Sequence, residues 1–153
     1  MIDTPEIAPT TEQRAAVIHL TVPRSQISEV MGPAIGEVMA TVQAQGIAMT
    51  GPVFSYHFRM DPDTFDFEVG VPVATPVAPS GRVISSVLPA RRVARTVYHG
   101  GYEGLGDAWS QLNDWIASEG HGTAPDLWER YLVGPESGPD PAAWTTELNR
   151  PLE

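Results

Sequence analysis

The sequence predicts the order strand, helix, strand, strand, and it predicts this order twice in succession. In the first half, residues 15–23, 53–60 and 64–71 are runs rich in β-branched and aromatic residues, which are typical of strands. Residues 25–46 lie between the first two runs and carry apolar residues at helical spacing, which indicates a helix. A duplicated unit of this kind constrains the fold strongly, because both halves must bury a helix against a sheet in the same way.

The second half repeats the order of the first. Residues 92–99 are predicted as a strand, and residues 102–120 as a helix whose apolar residues lie on one face. Residues 127–133 and 143–149 are predicted as two further strands, and residues 134–141 between them as a turn, because they are rich in Gly and Pro. The second half is therefore a second β-α-β-β unit.

Short sequence similarities between the halves support the duplication. The sequence EVGVP that begins at Glu68 resembles ELNRP, which begins at Glu147, and Gly46 and Gly120 follow the two predicted helices at corresponding points. The predicted fold class is α+β: duplicated βαββ units with pseudo-twofold symmetry and an antiparallel-rich sheet. Both main helices are expected on one face of this sheet, with a central ligand groove between them.

The length of 153 residues is that of one ordinary domain. Residues 1–13 are rich in Pro and Thr and are predicted to be a flexible arm, whereas residues 14–153 are predicted to form a single domain. The sequence has no run of about 18 apolar residues, and its beginning lacks the pattern of a signal peptide. We therefore expect no membrane partner and a cytoplasmic location.

The charge of the chain argues against direct nucleic-acid binding. The formal net charge is −10, and all nine basic residues are arginines. Binding to a phosphate backbone needs a basic surface, and the short cluster at residues 91–95 does not reverse the acidic balance. An acidic protein attracts cationic ligands over long distances instead.

One carboxylate stands within the apolar strand LWERYLV, which spans residues 127–133. Because alternate residues of a strand share a face, Glu129 points the same way as Leu127, Tyr131 and Val133. One interpretation is a carboxylate held beside aromatic rings, where it would bind a cation or transfer a proton. The alternative is an edge-strand glutamate that is paired or solvated at the surface.

The ordered set VYHGGYEGLGDAWSQLNDWI, WERYL and PAAWTTELNRPL resembles the GyrI-like small-molecule-binding domain, which is also the effector-binding domain of AraC-type and MerR-type regulators. The resemblance covers residues 14–152 and implies the duplicated βαββ fold with a cavity for bulky aromatic or cationic compounds. It also implies a cavity glutamate in an E-x-Y setting, which Glu129 and Tyr131 match. The upstream DNA-binding domain of such regulators has no place in these residues, so we expect a stand-alone member.

The other predicted ligand-binding residues are aromatic: Tyr56, Tyr98, Tyr102 and Trp109, in addition to Tyr131 and Glu129. The alternative for each is an ordinary core residue. The four histidines lack metal-ligand spacing, and the glycine-rich residues 99–106 lack a P-loop pattern, so we expect no metal and no cofactor.

Three classes of function follow from the sequence. The first is a binding protein that captures bulky hydrophobic, aromatic or cationic compounds. The second, implied by one branch of the resembling family, is a hydrolase that opens cyclopropane rings of DNA-alkylating natural products with Glu129 and Tyr131. The third, a protein-interaction module, ranks last because only the Pro-rich crossover at residues 72–82 offers a dedicated segment.

Overall fold

The computed structural model describes residues 2–134 and 138–153, which fall into two compact units. The N-terminal unit is Thr11–Ala90, and the C-terminal unit joins the residues up to Thr10 to Arg91–Glu153. In chain order the strands and helices are β1 (Glu6–Pro9), β2 (Gln13–Pro23), α1 (Ile27–Ala44), β3 (Phe54–Met60), β4 (Thr64–Pro72), β5 (Ile84–Leu88), β6 (Arg92–His99), α2 (Leu105–Ser118), β7 (Leu127–Val133) and β8 (Thr145–Pro151).

The N-terminal unit has its four strands in the order β3-β4-β2-β5, and each neighbouring pair is antiparallel. Helix α1 packs on β2 and β4 through its small and β-branched side chains. The buried core between them includes Ala34, Val38, Val42, Ile18, Phe67 and Val69. The apolar helical spacing in the sequence therefore corresponds to the face that α1 buries.

The C-terminal unit has its strands in the order β1-β6-β8-β7, again with antiparallel neighbours. Helix α2 packs on this sheet, and its core residues are Ala108, Leu112 and Ile116 against Ala94, Tyr98 and Leu148. Trp109 and Trp115 of the same helix pack against the edge of this core and are half-buried. The predicted α+β class and the two βαββ units are confirmed.

Part of the stretch that the sequence predicts to be a flexible arm, residues 1–13, is paired with another strand. Within this stretch Glu6–Pro9 forms β1, which pairs with β6 so that Ile7 lies opposite Ala94. Ile2 and Ile7 also pack against the core of the C-terminal unit, and burial of their side chains explains why the segment is ordered despite its Pro and Thr content. Strand β5 was also absent from the predicted elements.

The predicted turn over residues 134–141 lies partly outside the described residues. Where the chain is described again, Asp140 Oδ1 accepts the backbone N–H of Ala142 at 3.0 Å, and Pro141–Ala143 forms a short 3₁₀ turn. Strand β8 therefore begins two residues later than predicted, at Thr145.

Both predicted helix-ending glycines are confirmed. Gly46 and Gly120 have φ angles of 65° and 77°, in the left-handed region that side chains disfavour. No helix in the described part of the chain combines the length and the apolar content needed to cross a bilayer.

Candidate functional site

The pairing of β7 with β8 fixes the direction in which Glu129 points. Glu129 lies opposite Leu148, and Tyr131 lies opposite Thr146. Directly opposed residues of antiparallel strands share a face, and Leu148 belongs to the core under α2. Glu129 and Tyr131 therefore share a face, as strand alternation predicted, and this is the face on which α2 packs.

Two aromatic side chains hold the Glu129 carboxylate. Trp109 Nε1 donates a hydrogen bond to Glu129 Oε2 at 2.7 Å, and Tyr131 Oη donates one to Glu129 Oε1 at 2.8 Å. All three side chains are half-buried. Because both donors are uncharged, these bonds orient the carboxylate without neutralising its negative charge.

Two further aromatic rings extend this group. Tyr102 packs edge-on against Tyr131 with ring centroids 6.0 Å apart, and it packs on Trp144 with centroids 5.2 Å apart and planes tilted by 35°. Tyr102 is 38% exposed, and Trp144 is half-buried. We call Glu129, Tyr131, Trp109, Tyr102 and Trp144 the Glu129 cluster.

The neighbouring Arg130 points to the opposite face of the sheet and binds a different carboxylate. Its Nη1 donates to Glu147 Oε1 and Oε2 at 3.0 and 3.2 Å, and Glu147 Oε1 also accepts from Asn149 Nδ2 at 3.0 Å. Arg95 Nε lies 3.4 Å from the same oxygen. Two guanidinium groups and an amide therefore surround Glu147, whereas Trp109 and Tyr131 supply the two aromatic donors to Glu129.

Two other predicted ligand-binding residues, Tyr98 and Tyr56, make contacts of their own within their units. Tyr98 is only 7% exposed, and its hydroxyl donates to the carbonyl of Gly101 at 2.7 Å, which closes the turn from β6 into α2. A Cβ on Gly104 would clash with this hydroxyl, which favours glycine at this point of the turn. Tyr56 belongs to the N-terminal unit, where it packs edge-on against Phe58.

A Tyr98→Phe variant should separate a structural role of this tyrosine from a binding role. Loss of the bond to Gly101 should lower the free energy of unfolding by about 1 kcal/mol, because a buried carbonyl loses its partner. Urea denaturation measures this change. If Tyr98 only supports the turn, the affinity for a ligand of the Glu129 cluster stays the same, and a lower affinity would contradict this assignment.

The sequence interpretation did not place Trp144 at the site, although a signal for it was present. Trp144 lies two residues before Thr146, so strand alternation assigns both to one face, and Thr146 lies opposite Tyr131. The indole Nε1 donates to the carbonyl of Gly138 at 3.1 Å, which fixes the ring beside Tyr102. The alternation signal was usable only once the pairing of β7 with β8 was known.

Metal ligation finds no support in the described residues. They contain no group of three or more His, Asp or Glu side chains arranged to hold a metal ion. The chemistry available at the Glu129 cluster is that of a carboxylate, a phenol and aromatic rings.

The family of the chain follows from comparison with known proteins. Residues 3–153 match the model of the GyrI-like small molecule binding domain. The chain therefore belongs to the GyrI-like small-molecule-binding domains, as the resemblance predicted. A search of curated proteins finds no match.

Solved structures share this fold. The crystal structure of the EcmrR C-terminal domain superposes with a TM-score of 0.85 at 23% identity, over 98% of this chain and 97% of that one. The structure of EcmrR in a complex with DNA superposes with a TM-score of 0.85 at 24% identity, over 98% of this chain. This chain spans only 57% of the length of that EcmrR chain.

Two more distant structures carry functional names. SAV2435 bound to tetraphenylphosphonium has a TM-score of 0.71 at 11% identity, over 99% of this chain and 94% of that one. A hydrolase encoded by lin2189 from Listeria innocua has a TM-score of 0.68 at 11% identity, over 97% of this chain and 91% of that one. At such identities the similarity shows the fold alone.

Proposed function

We propose that this protein captures bulky, aromatic, cationic small molecules at the Glu129 cluster. The observation that carries the proposal is a carboxylate whose two oxygens accept hydrogen bonds from Trp109 and Tyr131, beside the ring pair Tyr102 and Trp144. The net charge of −10 adds long-range attraction for a cation.

The arrangement favours a cation whose charge is spread over an apolar body. A half-buried carboxylate attracts positive charge more strongly than an exposed one, because less water screens it. Aromatic faces add about 0.5–2 kcal/mol of cation–π attraction each, depending on desolvation. The same rings bind apolar groups, so a lipophilic aromatic cation uses both features at once.

Tetraphenylphosphonium is a suitable probe, since it is the compound bound to SAV2435. Calorimetric titration should show saturable binding with one compound per protein. The control is triphenylphosphine oxide, which keeps three phenyl rings but carries no net charge. Its affinity should be lower than that of tetraphenylphosphonium by about tenfold or more. Equal affinity for the two compounds would contradict a carboxylate-centred site.

Trp109 is proposed to position the carboxylate. A Trp109→Phe variant keeps an aromatic ring against α2 and removes the donor to Glu129 Oε2, so the affinity for tetraphenylphosphonium should fall about three- to tenfold. Trp115→Phe is the matched control, since Trp115 is half-buried on the same helix and packs against the same core. Similar losses in both variants would indicate a packing effect instead.

A second candidate function is hydrolysis of cyclopropane rings in DNA-alkylating natural products. The observation that favours it is the 2.8 Å bond from the Tyr131 hydroxyl to Glu129 Oε1, which places a phenol and a carboxylate together. Glu129 would take a proton from the attacking water or, when protonated, donate one to the opening ring, and Tyr131 would orient it.

Turnover distinguishes catalysis from capture. Incubation with an excess of a cyclopropane-bearing alkylating compound, followed by mass spectrometry, should give many equivalents of ring-opened product per protein if the chain is a hydrolase. The Glu129→Gln variant should then be inactive. Product formation that stops at one equivalent would contradict hydrolysis and leave capture as the function.

A further inference from the structure

The internal duplication places a second polar pair at the position equivalent to Glu129 and Tyr131. Glu68 of the N-terminal unit corresponds to Glu147, because the sequence EVGVP matches ELNRP at that point. The residue after Glu68 is Val69, which lies opposite Ser55, and the residue after Glu147 is Leu148, which lies opposite Glu129. Ser55 is therefore the equivalent of Glu129.

The same register relates the second member of each pair. His57 lies opposite Phe67, one residue before Glu68, and Tyr131 lies opposite Thr146, one residue before Glu147. Ser55 and His57 of the N-terminal unit therefore occupy the places that Glu129 and Tyr131 occupy in the C-terminal unit.

Ser55 and His57 are buried, although a sheet face under a helix needs no polar group there. Their exposed fractions are 0% and 4%, and His57 Nε2 lies 3.1 Å from Ser55 Oγ. The other ring nitrogen, Nδ1, is buried and has no hydrogen-bond partner among the described residues. Such an unpartnered atom costs about 1–3 kcal/mol, so its presence calls for a physical explanation.

We infer that Ser55 and His57 form a second binding point, which takes an uncharged planar group that offers a hydrogen-bond partner to His57 Nδ1. The residues of this site belong to the N-terminal unit.

The surroundings of His57 exclude a cation and suit an aromatic ring. The imidazole stacks on Phe67 with centroids 4.9 Å apart, and Phe65 meets it edge-on at 5.2 Å. The Arg24 guanidinium lies 4.4 Å from the centre of the Phe65 ring and would repel a positive ligand. Burial and Arg24 lower the pKa of His57 to about 4, so the imidazole is neutral near pH 7.

The half-buried Phe65 is the side chain that moves aside in this proposal. Arg24 lies over that ring, and its Nε donates to the carbonyl of Asp61 at 2.7 Å, so displacement of Phe65 requires this cation–π contact to break. A planar lactam or amide that enters here gains ring contact and supplies a hydrogen-bond partner to the buried Nδ1 atom of His57.

The probe is 2-pyridone, which presents an N–H and a carbonyl on one edge and therefore matches either tautomer of a neutral imidazole. Titration of the full chain, followed by the ¹⁵N shifts of the His57 ring, should move the Nδ1 resonance in a saturable way. In His57→Phe, which keeps a ring against Phe67, the affinity for 2-pyridone should fall about tenfold or more.

Crossed controls separate this site from the Glu129 cluster. Glu129→Gln should keep the affinity for 2-pyridone, and His57→Phe should keep the affinity for tetraphenylphosphonium. The inference is overturned if the wild-type Nδ1 resonance does not respond to 2-pyridone, as when an ordered water alone satisfies that atom. Unchanged affinity for 2-pyridone in His57→Phe would overturn it equally. Neither result bears on the Glu129 cluster.

Discussion

Glu129→Gln is expected to weaken binding of tetraphenylphosphonium by about ten- to hundredfold, which is about 1.4–2.8 kcal/mol. The glutamine keeps the size of the side chain but carries no charge, so the Coulomb attraction is lost. Its amide NH₂ also faces one of the two donors, Trp109 Nε1 or Tyr131 Oη, where an acceptor is needed. Calorimetric titration of both proteins at one ionic strength measures the loss.

The charge effect is isolated by a neutral ligand and by a matched variant. Triphenylphosphine oxide should bind wild type and Glu129→Gln with similar affinity, because it makes ring contacts without a net charge. Asp114→Asn removes one negative charge from an exposed position on α2 and should leave the affinity for tetraphenylphosphonium within about twofold. Equal losses for the cation and the oxide would show that the substitution disturbed the shape of the site.

The local patterns of the sequence predicted most of the fold. The predicted strands over residues 92–99 and 127–133 coincide with β6 and β7, because runs of apolar and aromatic residues determine them locally. Strand β1 was missed because its Pro-rich sequence is typical of a loop, and its order depends on pairing with β6, which is distant in the chain. Long-range pairing of this kind leaves no local signature.

The candidate site was predicted in part for the same reason. Strand alternation gave the common face of Glu129 and Tyr131, and helical spacing placed Trp109 on the apolar face of its helix. The bond from Trp109 Nε1 to Glu129 Oε2 depends on how α2 lies over β7, which spacing alone does not determine. The residue type of Tyr98 alone favours a binding role, and only the structure shows its hydroxyl closing a glycine turn.

The two copies of the βαββ unit differ at the position that Glu129 and Tyr131 occupy in the C-terminal unit. One copy places a carboxylate and a phenol there, and the other places Ser55 and His57, which are neutral near pH 7. The shared register holds two polar pairs of different chemistry at equivalent places, one half-buried and the other buried. In the proposed functions, the paired strands set the position of each pair, and its two side chains select the ligand.

The buried histidine should make stability depend on pH. Burial and the Arg24 guanidinium lower the pKa of His57 from 6.5 to about 4 in the folded chain, so between these values the unfolded chain binds the proton and the folded chain does not. The free energy of unfolding therefore has its full value, as far as His57 is concerned, above pH 6.5. It falls by about 3 kcal/mol in total as the pH is lowered from there to about 4.

Urea denaturation at several pH values between 7 and 4 should show this loss in the wild type and a flatter profile in His57→Gln, which cannot titrate there. Asp66 and Glu37 also have lowered pKa values, caused first by hydrogen bonds from His19 and Arg82 respectively, and they destabilise the fold at still lower pH in both proteins. The difference between the two profiles thus isolates His57. Parallel profiles would mean that His57 is protonated at no cost, and hence that water reaches its ring in the folded chain.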